Sequence, residues 1–164
     1  MVTEPAKSWL WSRWSALGLS VALATLIIDQ THKAWMLLGY RIQDKGRVAV
    51  APFLDLVYVK NVGISYGMIP GWLGPWALSA FAVLASIALY LWLVRGPTTQ
   101  LIACSLGLII GGAIGNAIDR LWLGGVADFF SLHGFGFYWY VFNIADVAIV
   151  AGVAGLLYDS IWAS

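Results

Sequence analysis

Four stretches of the chain are apolar over lengths that suit a bilayer crossing, and the polar residues between them are unevenly placed. Residues 14–28 carry no charge and, with Trp9, Leu10 and Trp11 ahead of them, reach spanning length once Arg13 extends toward the headgroups. Residues 72–94 hold no charge at all. Residues 101–118 follow the breaker Arg95-Gly-Pro-Thr-Thr-Gln100, and 137–158 are interrupted only by Asn143 and Asp146. A hydrocarbon core of about 30 Å needs roughly 20 apolar helical residues per crossing. The pattern therefore predicts one integral membrane domain over 1–164, with transmembrane helices over roughly 9–30, 72–94, 99–118 and 138–159. Trp9, Trp11, Trp14, Trp72, Trp76, Trp122, Tyr138, Trp139 and Tyr158 cluster at segment ends, as interfacial belts do. Lys7 and Arg13 before Ala22-Leu-Ala24 also suit a cleavable signal peptide. The run continues through Leu26, Ile27 and Ile28, which favours a spanning helix.

Residues 39–71 differ in character and are not a membrane segment. Within them Phe53-Leu-Asp-Leu-Val-Tyr-Val-Lys60 is rich in β-formers and partly alternating, which predicts a small sheet at the membrane surface. Gly63, Gly67, Pro70, Gly71, Gly74 and Pro75 then predict turns leading into the second crossing. The expected fold class is membrane all-α, four helices with a small β-sheet or loop region between the first and second.

Composition agrees. The chain is 61% hydrophobic and 10% charged, against about 45–50% and about 25% for a soluble domain. Too few charges exist to coat a water-facing surface, which argues against a soluble enzyme, a disordered chain and a nucleic-acid binder. A net charge of +1 offers no field for a polyanion, and the single cysteine, Cys104, cannot form an internal disulfide.

The chemistry lies in the carboxylates, because an acid in or beside an apolar span is costly and usually faces a cavity or a partner. Asp29 ends the first predicted crossing, Asp119 ends the third, Asp128 follows it and Asp146 opens the fourth. Consecutive crossings alternate direction, so all four acids reach one membrane face. Asn61, Asn116, Asn143, Lys33 and Arg120 fall on the same side, while the opposite face receives little beyond Lys7, Arg13, Arg95 and Asp159. Structural pinning of helix ends, with Asp119-Arg120 as an interfacial charge pair, does not require this asymmetry. With only His32 and His133 and no His-Glu-x-x-His helix, a zinc site is not expected. Ser65 near Lys60 or Lys33 has no specific spacing for a Ser-Lys pair. A proton-coupled transporter would carry ionisable residues deeper in the bilayer, and a non-catalytic scaffold would not need clustered acids. Two facing carboxylates can share a proton, one as base toward water and one as acid toward the peptide, which is aspartic protease chemistry.

Five blocks then carry a resemblance. Ile28-Asp-Gln-x-x-Lys33, Asn61-Val-Gly-Ile-Ser-Tyr-Gly67, Gly111-Gly-Ala-Ile-Gly-Asn-Ala-Ile-Asp-Arg120, Val126-Ala-Asp-Phe129 and Phe142-Asn-Ile-Ala-Asp146 together resemble bacterial lipoprotein signal peptidase, or signal peptidase II. The resemblance implies a four-helix aspartic endopeptidase of the bacterial inner membrane, with both termini cytoplasmic and the site and sheet extracytoplasmic. It implies a substrate, the prolipoprotein, cut on the N-terminal side of a diacylglyceryl-modified cysteine. Asp128 and Asp146 would be the catalytic pair. Asn116, Asp119, Arg120 and Asn143 would orient the pair and the scissile peptide; Asn61 and Gly63 would meet the substrate backbone; Asp29, Lys33 and Ala145 would support the site. Asp119 is the competitor for a place in the pair, and its neighbour Arg120 argues that it stays ionised. The resemblance further implies a monomer, contact with membrane lipid, no cofactor, metal or nucleic acid, and inhibition by globomycin at the dyad. Its block at Ile64-Ser-Tyr-Gly67 departs from many members, which bears on substrate detail. Six basic residues (Lys33, Arg41, Lys45, Arg47, Lys60, Arg120) fall on the implied outer side and three inside, opposite to the usual bias. Residues 39–71 are expected to act as a mobile cover over the dyad.

Overall fold

The computed structural model describes residues 11–63, 74–96 and 99–162. Four long helices dominate it: α1 (Ser15–Ala34), α3 (Gly74–Arg95), α4 (Gln100–Leu123) and α5 (Ile144–Trp162), with a short α2 (Ile42–Lys45). Four antiparallel strands, β1 (Val48–Ala51), β2 (Leu54–Asn61), β3 (Val126–Gly134) and β4 (Phe137–Phe142), form one sheet in the order β1-β2-β3-β4. Among the described residues α3, α4 and α5 are long and apolar enough to cross a membrane. The last turns of α1 instead carry Asp29, Gln30, His32 and Lys33.

α4 is central and packs against α1, α5 and α3. Its glycines make that approach possible. A Cβ on Gly111 would stand 2.5 Å from the Ala22 carbonyl oxygen of α1, and one on Gly112 would stand 2.6 Å from the Ala145 carbonyl oxygen of α5. Thr99 caps α4 by accepting a hydrogen bond from the Ile102 N–H at 3.1 Å. Gly124, at φ 72, ends it in the left-handed conformation. The chain then turns directly into β3.

Several boundaries differ from the sequence expectation. The first helix runs to Ala34 and a single π-helical stretch (Trp35–Gly39) continues it, so Asp29 lies inside the helix rather than at its end. The third continues past 118 to Leu123, so Asp119 and Arg120 sit in its last turns. In both cases buried partners for the charged residues let the helix go on. The third difference is larger: the apolar run from 137 divides, with Phe137–Phe142 as a strand and the helix starting at Ile144 rather than 138. Phe-Tyr-Trp-Tyr-Val-Phe is aromatic and β-branched, and a short apolar run of that kind suits a strand. Half of the sheet therefore comes from the α4–α5 connection, not only from the segment between the first two crossings. Within 39–71, β1 and β2 form the small sheet expected there, with β2 one residue from its expected place. The glycine-rich exit with Gly67 and Gly71, and the helix start expected at 72, lie outside the described residues; of the helix expected from 9, residues 11–14 are not helical and α1 starts at Ser15.

The sheet sits on the helix ends through Met36, Ile42, Ala127 and Phe129, all fully buried, with Leu37, Leu56, Tyr58 and Leu123 around them. Successive residues of a strand face opposite ways. Ala127 and Phe129 pack into this cluster, and Asp128 between them faces the other side.

Candidate active site

The four acids of the sequence do converge, and their partners divide them into two pairs. Lys33 is the centre of the first. Its ammonium is 2.8 Å from Asp29 and 2.7 Å from Asp119, and it donates to the Asn116 side-chain oxygen at 3.0 Å. Asp29 and Lys33 are four residues apart on α1 and so share a face. Asp29 also accepts the Ala145 N–H at 3.0 Å, which ties α1 to the first turn of α5. Asp119 accepts the Ala127 N–H at 3.1 Å, which ties α4 to β3. Gln30, which the sequence reading did not single out, donates to Asp29 at 3.1 Å, to Asp119 at 3.0 Å and to the Gly115 carbonyl at 3.2 Å. Its position in the Ile28-Asp-Gln block was the available signal. All of Asp29, Lys33 and Asp119 are buried. Asp119 finds its cation in Lys33 rather than in adjacent Arg120, because neighbouring residues on a helix point about 100° apart.

The second pair is held by neutral amides. The Asn143 side chain donates to Asp128 at 2.6 Å and the Asn61 side chain donates to its other oxygen at 3.1 Å. Asp146 accepts from the Asn116 side chain at 2.8 Å and from the Asn143 backbone N–H at 3.1 Å. The Asp146 N–H donates back to the Asn143 side chain at 3.1 Å. This reciprocal exchange over Asn143-Ile-Ala-Asp146 is a capping box, so the motif that starts α5 also places the carboxylate. Asn143 further donates to Asn116 at 3.2 Å, joining the two acids through one amide network. Gly63, at φ 78, donates its N–H to the Asn61 side-chain oxygen at 2.9 Å and so orients Asn61.

Arg120 donates to the Asn116 carbonyl at 3.2 Å, and its charge faces Asp146, Asp119 and Asp128. Its buried Nε has no hydrogen-bond partner among the described residues. On β3, outside the spans, burial pushes the Asp128 carboxyl up from 3.8 to about 6; the charge of Asp146 adds to this, and the Asn143 and Asn61 amides oppose it. The folded chain thus holds this proton more tightly than the unfolded chain does. The resulting stabilisation is complete below about pH 4 and is lost as pH rises through about 6. Asp128→Asn is accordingly expected to gain thermal stability on the parent as the buffer is raised from pH 4 to 7. Melting curves that keep a constant separation over that range would contradict the assigned environment.

The family description Signal peptidase (SPase) II matches residues 21–162. The chain belongs to the signal peptidase II family. Curated relatives agree: the lipoprotein signal peptidase of Methylocella silvestris is 52% identical over 150 residues, covering 90% of this chain and 87% of that protein. That of Rhodopseudomonas palustris is 52% identical over 151 residues, covering 88% and 92%. Two bacterial membrane enzymes solved by the in meso method share the fold. One, at 1.9 Å resolution, has a TM-score of 0.79 at 24% identity, over 96% of this chain and 99% of that one. The other, at 2.3 Å, has 0.74 at 26%, over 93% of each. The protein is thus a membrane peptidase of the signal peptidase II type, and the amide-held acids sit inside the matched region.

Proposed function

We propose that this peptidase is of the aspartic type, with Asp128 and Asp146 as its catalytic pair, and that it cuts prolipoproteins on the N-terminal side of a diacylglyceryl-modified cysteine. One observation carries the reading: of the four converging acids, Asp29 and Asp119 are both ion-paired to Lys33, whereas the hydrogen bonds to Asp128 and Asp146 come from amides alone. A pair that must exchange protons cannot be locked to a fixed cation. The names of the relatives supply the substrate class.

In this reading Asp146 takes a proton from water, whose oxygen bonds to the scissile carbonyl carbon. Asp128, which burial makes easier to protonate, gives its proton to the carbonyl oxygen. On collapse the C–N bond breaks, the leaving amine takes the proton held by Asp146, and a hydroxyl of the tetrahedral species returns its proton to Asp128. Asn116 and Asn143 orient the acids. Asn61, set by Gly63, and Arg120, whose Nε has no partner among the described residues, bind substrate backbone. Asp29, Lys33, Asp119 and Ala145 hold α1, α4, α5 and β3 in register beneath the reacting groups.

The membrane placement belongs to the same proposal. α1 crosses as a fourth helix, its Asp29 and Lys33 shielded by protein rather than lipid. The site and the sheet then lie at the extracytoplasmic face of the inner membrane, with both termini cytoplasmic, in a chain that works as a monomer. Globomycin would occupy the dyad. A site at a helix end lets the substrate's acyl chains stay in lipid while the peptide enters the polar pocket. Membrane attachment raises local substrate concentration, so an unlipidated precursor is expected to be cut on the order of 100-fold more slowly in proteoliposomes. Equal rates would remove lipid recognition from the function.

A further inference from the structure

The β3–β4 hairpin carries a surface that peptide cleavage does not use. Residues 129–145 contain no Asp, Glu, Lys or Arg. β4 is an edge strand, and Phe137, Tyr138, Trp139 and Tyr140 are exposed one after another, at 75%, 63%, 67% and 91%. A strand lying on a core exposes every second residue. Four in a row make a ribbon that stands clear on both faces. At its tip Phe135 and Gly136, at φ 52 and 83, form the two-residue turn closed by Gly134 and Phe137. That turn favours Asn-Gly, so Phe135 is strained in the left-handed region while its ring is fully exposed. The base is firm. Arg47 lies 4.9 Å over the Tyr138 ring and pairs at 2.5 Å with buried Asp55, and His133 stands 3.3 Å from the same carboxylate.

We propose that this ribbon is a membrane-docking element, whose partner is the headgroup and upper acyl region of the leaflet around the adjoining ends of α4 and α5. Tryptophan and tyrosine backed by phenylalanine are the residues that settle at that depth, and an uncharged ribbon enters it without burying an ion. The ribbon is also rooted there: β4 ends at Phe142 and the membrane-crossing α5 starts at Ile144, while β3 follows α4 across Gly124 and Gly125. A protein partner would meet a patch rimmed by polar residues; here the ion pair of Arg47 with Asp55 lies at the base alone, and residues 129–145 carry no Asp, Glu, Lys or Arg. Docked in this way, the ribbon sets the tilt of the sheet that carries Asp128. The proposal rests on the membrane placement of the helices and not on which acids are catalytic.

A nitroxide spin label at Phe135→Cys, in a Cys104→Ser background, tests it in vesicles of phosphatidylethanolamine and phosphatidylglycerol without substrate. Labels at Leu84→Cys on exposed α3 and at Gln43→Cys on α2 mark bilayer and water. The expected ratio of oxygen to nickel-chelate collisions at 135 is severalfold above that at 43, and Tyr140→Cys should repeat it should the turn at 135 be disturbed. A ratio at both positions equal to that at 43 overturns the proposal. Protection that scales with protein-to-lipid ratio would assign the surface to a second copy, and protection only on adding lipopeptide substrate would assign it to substrate; either result overturns it. An aqueous reading at Leu84 would remove the membrane placement and the docking element with it, leaving the catalytic assignment untouched.

Discussion

Asp128→Asn and Asp146→Asn are each expected to lower kcat for a lipidated precursor by about 10³-fold or more, with abundance and helical content unchanged. An amide keeps the shape of the carboxylate and can still pair with Asn143, Asn61 or Asn116 after a flip, so folding should survive. It can neither accept the proton of water nor deliver one to the carbonyl oxygen. Groups that act as a unit fail together, so the double variant should be scarcely slower than either single one. Asp119→Asn is the informative contrast. Its carboxylate bridges Lys33 and the Ala127 N–H, so its loss should appear first as a lower melting temperature, with residual activity in whatever protein remains folded. A well-folded Asp119→Asn enzyme without activity, beside an active Asp128→Asn enzyme, would move the catalytic pair.

Lys33→Met is expected to be the most destabilising single substitution in the helical core. It would leave Asp29 and Asp119 buried side by side without their shared cation, and breaking a buried pair by removing one partner costs roughly 3–5 kcal/mol. The damage should spread, because those carboxylates also hold the first turn of α5 and the start of β3. Thermal unfolding in detergent measures it directly. Adding Asp29→Asn and Asp119→Asn to Lys33→Met removes the uncompensated charge and should restore much of the lost stability. A Lys33→Met protein that melts with the parent would show that the cation is not what neutralises the two acids.

Much of the site was legible because its residues sit in short blocks that do local work. Asn143 and Asp146 stood out as polar residues in an apolar run, though the sequence places them inside a helix from 138 and Asp128 in a loop. The helix start at Ile144 and the strand β3, which turns Asp128 away from the apolar cluster, came only with the fold. The strand Leu54–Asn61 fell within one residue of its predicted place because it is bounded by turns and partly alternates. β4 was hidden. An unbroken apolar run from Phe137 onward reads equally as strand and as helix, and only the Phe135-Gly136 turn and the aromatic bias mark the division. Gln30 was overlooked because an amide between Asp29 and Thr31 carries no signal until α4 is packed against it.

The sequence by itself determines that this chain lives in lipid, since its composition cannot cover a water-facing surface and its apolar runs match the bilayer. It also determines that acids and amides gather at one end of the helices, because alternating crossings return those segments to the same face. Which acid belongs to which partner is decided only by the tertiary structure. Asp119 lies next to Arg120 in the chain yet pairs with Lys33 from another helix, through an approach that Gly111 and Gly115 of α4 permit. That Asp128 and Asp146 take their hydrogen bonds from amides and not from Lys33 is likewise a property of packing: Lys33 is already held between the other two carboxylates.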